Sequence, residues 1–440
     1  MAQISKEEFI KNHENALLSS TNRVEAPFVR VEMGGYTFGV YESESVGLSG
    51  NQFYKNMEEK YPNYIKQLDV KKINGTVNQY TLVIEYPITD GSDPNFFERI
   101  FSSISDTRYI KITYGDFMSP NFIYSSGYQN IAGKGEEAII TDVKTSFDMT
   151  HNSIQYVVSA VSTANLTLSG SFNFGGKYTQ PSKEIYETLY NEEYHLTDVF
   201  TGMANPSVVE MNNFIATDDK KMQIPTYTNI SALEYISKLV NHMAPDGTPD
   251  DSGVNNGVYT LTTYDDPSNL YGGPYFKVSK VETAITTLNK LVVYTIDVGY
   301  PTANIVTNFS LSNQSNWSIM YDYNKSVKSS DYIKRIGDDG SLEYIYSPLI
   351  RGTNLKLEEE DKSWWTKVTS FPIQASITIK GLLRPAILMT YVKLNVWFFG
   401  HKHNSSGYYI ITSQEDKIDM SNGYTTTLGL TRVAGDEEFI

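Results

Sequence analysis

Hydrophobic and polar residues alternate along most of this chain with a period of two. That period marks strands with one buried face. It is clear over residues 28–38, 80–86, 110–114, 138–147 and 154–162. It returns over 291–298, 305–311, 317–323, 373–379, 391–398, 408–413 and 424–432. Asn74-Gly75 signals a tight turn. Helical spacing is confined to short stretches. Residues 5–17 open with Ser5 and Glu8 in capping-box positions. Asp93 and Pro94 suit the start of a helix over 94–104, with Phe97, Ile100, Phe101 and Ile104 on one face. Ser182 is placed to cap a helix over 183–193. Asn229 or Ser231, the latter with Glu234, caps another that ends near His242. Its apolar set is Ile230, Leu233, Ile236, Leu239, Val240 and Met243. Pro245-Asp246-Gly247 stops it.

These elements predict a mainly β fold with an α+β middle. Two similar β-barrel modules lie at the ends of the chain and flank a helix-containing region. The expected divisions are an N-terminal arm at 1–24 and a first barrel with an inserted helix at 25–165. A helix-containing domain at 178–247 and a mixed α/β or β domain at 248–350 follow. A second barrel spans 351–434, and an acidic tail closes the chain at 435–440. The stretch 163–178, rich in Ser, Asn, Gly and Thr, marks the first boundary.

The expected similarity of the modules rests on a repeat. Ile139, Ile140, Thr141, Phe147, Asp148 and Met149, then Thr150, match Ile410, Ile411, Thr412, Ile418, Asp419 and Met420, then Ser421. Both copies read Ile-Ile-Thr, five variable residues, a large apolar residue, Asp-Met and a hydroxyl residue. An Asn and an alternating strand follow each. Two β modules far apart in one chain point to duplication. Such a chain can stand for two subunits, so a trimer of it can match a six-fold partner.

Composition narrows the function. At 440 residues the chain holds several domains. With 33 Tyr and 20 Phe, it favours half-buried strands over helices. The net charge of −15, with no Lys/Arg block, argues against a nucleic-acid binder. There is no cysteine, so disulfides and thiolate chemistry are excluded. The polar start of the chain reads as an arm and lacks a leader pattern. No uninterrupted apolar run reaches membrane-spanning length, so a soluble chain made in the cytosol is expected.

Candidate chemistry is sparse. His13, His151, His195, His242, His401 and His403 fall in no catalytic motif. His401 and His403 are placed to share a metal if they lie on a strand, but two ligands make an incomplete site. The Asp-rich stretches at 246–251 and 265–266 lack EF-hand spacing. Trp364-Trp365 reads as an interface or core anchor before a sugar platform. No catalytic, cofactor or metal residue is assigned.

The last module resembles a known family. Gly407-Tyr408-Tyr409-Ile410-Ile411, a short excursion, and Thr426, Leu428, Leu430 and Arg432 resemble the closing hairpin of bacteriophage tail (baseplate) hub proteins. The strand Tyr391-Val392-Lys393-Leu394-Asn395-Val396 resembles the family's preceding strand. The excursion departs from the family, with Glu415-Asp416-Lys417 where a His is common. By layout the resemblance covers most of 28–432. It implies tube-protein-like barrels, six of which form a pseudo-hexameric ring in a homotrimer. It implies a non-enzymatic virion protein at the tail baseplate or tip. The implied partners are a tail tube protein, a spike or tail-tip protein and a tape-measure protein. Genome DNA would meet it only in transit, through a net-negative lumen. A distal tail or tube-initiator protein is the nearest alternative. A glycan-binding or glycan-cleaving β protein is the alternative from another class.

Overall fold

The computed structural model describes residues 27–39, 64–103, 108–116, 136–163, 170–191, 193–194, 221–242, 258–264, 275–282, 285–299, 306–313, 373–380, 388–419 and 423–436. The expected helix at 5–17, the strand at 317–323, the Asp-rich stretches, Trp364-Trp365, His13, His195, Met420 and Ser421 lie outside them.

The fold is mainly β, as the alternation requires. The first part contributes β1 (Pro27–Met33), β2 (Tyr36–Gly39), β3 (Ile65–Ile73) and β4 (Gln79–Pro87). Helix α1 (Phe96–Ser103) follows, then β5 (Tyr109–Asp116), β6 (Glu136–Asp148) and β7 (Ser153–Ser162). The middle holds β8 (Ser171–Phe174), β9 (Tyr178–Thr179), α2 (Pro181–Leu189), β10 (Met222–Gln223), β11 (Tyr227–Ser231) and α3 (Ala232–His242). It continues with β12 (Val258–Tyr264), β13 (Tyr275–Val281) and α4 (Ile285–Leu291). The last part contributes β14 (Val292–Val298), β15 (Val306–Asn313), β16 (Ile373–Lys380), β17 (Tyr391–Phe398), β18 (His401–Lys402), β19 (Gly407–Asp419) and β20 (Gly423–Gly435).

Among the described residues, fourteen strands from both ends of the chain join in one sheet. Its path runs β15-β16-β20-β19-β3-β4-β7-β6-β5-β1-β2, with β17, β14 and β18 branching from β19. The sheet curls around two main cores. The first collects Leu68, Leu82, Ile112, Tyr156 and Val158 under Phe97 and Ile100 of α1. The second collects Ile296, Ile377, Leu394, Tyr409, Ile411 and Leu428, with Val306 and Phe309 packed against it. Thus β14 and β15 belong in space with the last strands, ahead of the boundary expected at 351.

The helices follow their sequence signals with two corrections. Asp93 accepts a hydrogen bond from the Asn95 amide at 2.9 Å and pairs with Arg99, and regular helix begins at Phe96 rather than Pro94. Helix α2 begins at Pro181 with Gln180 as its N-cap, so Ser182 is a buried helical residue and not the cap. Pro suits this first position, where no amide donor is needed. Ser231 does cap α3: its Oγ accepts from the Glu234 amide at 3.2 Å. The α3 face made by Ala232, Tyr235, Ile236, Leu239 and Val240 is fully buried, at the i, i+3, i+4 spacing of an amphipathic helix. Phe174 stacks on Tyr235 with ring centres 4.3 Å apart, and Tyr235 donates to Glu184 at 3.0 Å. The middle region is therefore a small helical core against which Val77, beyond the β3–β4 turn, also packs.

Two outcomes follow. Ile377→Ala, at a fully buried site, is expected to cost roughly 3–4 kcal/mol in denaturant unfolding. Ser231→Ala should cost only about 1 kcal/mol, the worth of one N-cap.

Candidate functional site

The feature that sets this molecule apart is strand β19. Its 13 residues serve three cores: Tyr409 and Ile411 the second, Tyr408 and Ile410 a smaller one with Val281, Leu288 and Val433, and Ile418 the first. Residues Gly407–Ile410 pair with Leu394–Tyr391 of β17, and Tyr409 and Ile411 fill the second core. Beyond Ile411 the strand leaves β17 and takes a new neighbour. Residues Ser413–Asp419 pair antiparallel with Ile73–Gln67 of β3, in the first region. Ile418, and Tyr424 on the returning strand β20, are buried in the first core. The excursion expected around Glu415-Asp416-Lys417 is therefore continuous strand. It remains extended because β3 supplies the hydrogen bonds that an isolated hairpin tip would lack.

A buried polar cluster fixes this crossing. The Asp416 carboxylate accepts from Thr426 Oγ1 at 2.6 Å, from Tyr424 OH at 3.1 Å and from Gln414 Nε2. Lys72, fully buried on β3, pairs with Glu136 Oε1 of β6 at 2.6 Å, and Tyr80 OH also donates to Glu136. Buried charges survive only when paired and hydrogen-bonded, and each carboxylate here meets that condition. Burial, against the pull of Thr426 and Lys72, raises the Asp416 pKa to about 6. Burial and the nearby Glu136 hold the Tyr114 phenol well above its usual range. A carboxyl group near 6 suits proton transfer, yet Asp416 is sealed from solvent on all sides. The groove at the crossing, about 460 Å³, is lined by Ser310, Ser312, Thr412, Ser413, Thr427 and Gly429 among others. Lys71 and Glu415, opposite each other on β3 and β19, also line it.

The repeat residues fall on two hairpins. Ile139 is half-buried and Ile140 buried on β6, while Ile410 and Ile411 are buried on β19. Ile139 sits opposite Tyr109 of β5; Ile410 sits opposite Tyr391 of β17. The β6–β7 pairing shifts between Ile140 and Asp142, and the β19–β20 pairing shifts between Ile411 and Ser413. Each shift is marked by a threonine. Thr141 Oγ1 donates to the Ser159 carbonyl at 3.1 Å and Thr412 Oγ1 to the Gly429 carbonyl at 3.3 Å. Asp148 and Asp419 end the two strands, opposite Ser153 and Gly423. Phe147 and Met149 are exposed, whereas Ile418 is buried.

Register carries the likeness past the short sequence match. β3 pairs with β4 through Ile65–Ile84, then shifts by one residue before Gln67–Val83. β15 pairs with β16 through Val306–Ile379, then shifts before Asn308–Thr378. β4 pairs β7, and β16 pairs β20. The regions differ at two neighbours: β1 lies antiparallel to β5 while β14 lies parallel to β17, and β19 takes β3 where β6 has no such partner among the described residues. β19–β20 also has a second shift, at Tyr408 and Tyr409.

His151, His401 and His403 make separate local contacts. His151 Nδ1 lies 2.7 Å from Asp148 Oδ2, which raises the imidazole pKa and lowers that of the carboxylate. His403 Nδ1 meets Ser405 Oγ at 2.7 Å, and His401 is exposed on β18. Among the described residues, no three metal-capable side chains gather. No helix there is long and apolar enough to cross a membrane. The closing acidic tail begins inside the fold, because Asp436 is buried against Lys402 at 2.8 Å.

No family model matches the chain, and no curated protein matches its sequence. Several solved structures are similar in fold. A tail protein from Neisseria meningitidis MC58 is 9% identical, with 92% of this chain and 96% of that chain covered, at a TM-score of 0.48. A 43 kDa tail protein of prophage MuSo2 from Shewanella oneidensis is 11% identical over 93% and 99%, at 0.48. The E. coli c3393 protein, described as a type VI secretion component similar to T4 tail proteins gp27 and gp5, is 9% identical over 84% and 75%, at 0.41.

The Asp416 pocket makes a pH prediction. The folded protein holds this proton more tightly than the unfolded chain, so the group lowers stability as pH rises from about 4 through 6. Asp416→Asn is expected to remove that decline, on the order of 3 kcal/mol at about 1.4 kcal/mol per unit. Denaturant midpoints measured from about pH 4 to about pH 7 check it; an unchanged slope would count against the assignment.

Proposed function

We propose that this chain is a structural tail protein of a bacteriophage, the hub of the baseplate or tail tip. The observation that carries the reading is the repeated pairing pattern: two strand sets, in β3–β7 and in β15–β20, share their order of pairing and the shifts after Ile65 and Val306 and after Ile140 and Ile411. On this reading residues 25–165 and the region ending at 434 are two copies of one tube-like module. Ile139, Ile140, Thr141, Phe147, Asp148 and Met149 occupy in one copy the places of Ile410, Ile411, Thr412, Ile418, Asp419 and Met420 in the other. Three chains then present six modules in a pseudo-six-fold ring.

Such a ring adapts a six-fold tail tube to a three-fold spike or tip. The resemblance of 391–396 and 407–432 to hub hairpins supports the same reading. The tube protein, a spike or tip protein and a tape-measure protein are the proposed partners. The net charge of −15 suits a channel that lets DNA pass without holding it. The role is mechanical, and the Asp416 carboxyl at the crossing is sealed from solvent.

Light scattering coupled to size exclusion tests the reading. The expected mass is three times 49.6 kDa. Six copies would instead favour a distal tail or tube-initiator protein. A single copy that binds glycans would favour the glycan reading.

A further inference from the structure

Among the described residues, three charged side chains meet at the β19–β3 crossing: Lys72 of β3, Glu136 of β6 and Asp416 of β19. Two carboxylates therefore share one cation. Glu136 takes it directly, with Lys72 Nζ 2.6 Å from its Oε1, and Tyr80 of β4 donates to the same carboxylate. Asp416 feels the pull of Lys72 but hydrogen-bonds to neutral groups. These are Thr426 and Tyr424 of β20 and Gln414 of its own strand, with Tyr114 OH of β5 at 3.5 Å. Glu415 and Lys417, beside it along β19, are exposed on the other face. Two buried carboxylates with one cation between them do not both ionise without penalty, so a proton belongs to the set.

The hydrogen bonds place that proton. Asp416 Oδ1 accepts from Thr426 at 2.6 Å and from Tyr424 at 3.1 Å. Oδ2 faces the amide of Gln414, which is itself fully buried. An amide presents its NH2 or its C=O according to its flip, so Gln414 can donate to a carboxylate or accept from a carboxyl O–H. Asp416 thus has hydrogen-bond partners in either charge state. What separates the two states is the cost of one extra buried charge. The rise of its pKa to about 6 agrees.

The position of the cluster gives the proton a consequence. The sheet passes from its last strands to its first through the pairing of Ser413–Asp419 with Ile73–Gln67. Gln414 lies opposite Lys72 and Asp416 opposite Val70, within that ladder. Tyr424 and Thr426 stand on β20 beside the same stretch of β19. An ionised Asp416 is relieved by water, and water reaches it when this ladder parts. We propose that Asp416 is a proton-operated latch on this seam, tightest when the carboxyl is neutral and easing locally when it ionises. The latch is a property of the fold and goes beyond the hub reading, since it needs neither a trimer nor a partner.

The sign follows from linkage. In the parted seam the carboxyl returns towards the ordinary value of about 4, so the closed seam binds the proton more tightly. The parted fraction then rises about tenfold per pH unit from about pH 4 to about pH 6 and is level above that.

Residue-resolved hydrogen exchange, corrected for the intrinsic rate, tests the latch. Protection of amides in Gln67–Ile73 and Ser413–Asp419 is expected to fall about a hundredfold over that range. Amides of the β14–β17 pairing should stay level. Asp416→Asn should abolish the fall. Glu136→Gln leaves Asp416 as the carboxylate nearest Lys72 and should move the fall to lower pH. An equal fall in both sets of amides, or none in either, overturns the latch, and this comparison needs no variant. A fall that survives in Asp416→Asn, or keeps its place in Glu136→Gln, also overturns it.

Discussion

Strand β19 must satisfy several cores at once, and the rest of the structure depends on how it does so. A 13-residue strand is far longer than one core needs. Its first half is apolar and buried on both faces, with Tyr408, Tyr409, Ile410 and Ile411 in succession. Its second half alternates, so that Gln414, Asp416 and Ile418 point into the first region. The register shift at Thr412 lies between the halves. A bulge adds twist and bends a strand, and here it re-aims β19 from one core to the other. Slipping β19 against β3 by one residue would turn Ile418 outward and bury Lys417. The Asp416 cluster makes that slip costlier still, because a carboxylate would lose three donors at once.

Most strands were legible because one face is buried and the other wet. Those that were not legible broke the pattern for a physical reason. β3 has Lys72 on its buried face and a shift after Ile65, so its alternation reads as a charged segment. Glu136, 64 residues away in sequence, pairs with Lys72 there. The distal half of β19 was hidden in the same way. Asp416 is inward, and nothing local shows that Thr426 and Tyr424 will meet it. The grouping of β14 and β15 with the last strands was also illegible, since their pairing partners lie far along the chain. Ser182 misled through type: serine is a good cap, but Pro181 one residue earlier already sets the helix start.

The candidate site shows the reverse. The Ile-Ile-Thr and Asp-Met matches are short, yet each maps to a point where pairing changes. The threonines mark the shift, where a hydroxyl can bond a carbonyl in the disturbed ladder. The aspartates end the strands, where a carboxylate can bond turn amides, as Asp148 does with Thr150 and His151. The five variable residues between them pair on β19 with a strand of another region and on β6 lack that neighbour among the described residues. Variation there is what differing neighbours would produce.

Equivalent edges need not carry equivalent chemistry. The β19–β3 contact lies within one chain and contains the buried Asp416 and Lys72, with Glu136 of β6 beside it. On β6 the residues that match Ile418 and Asp416 are Phe147 and Thr145, both exposed, so the two matched hairpins differ in polarity and burial where their neighbours among the described residues differ.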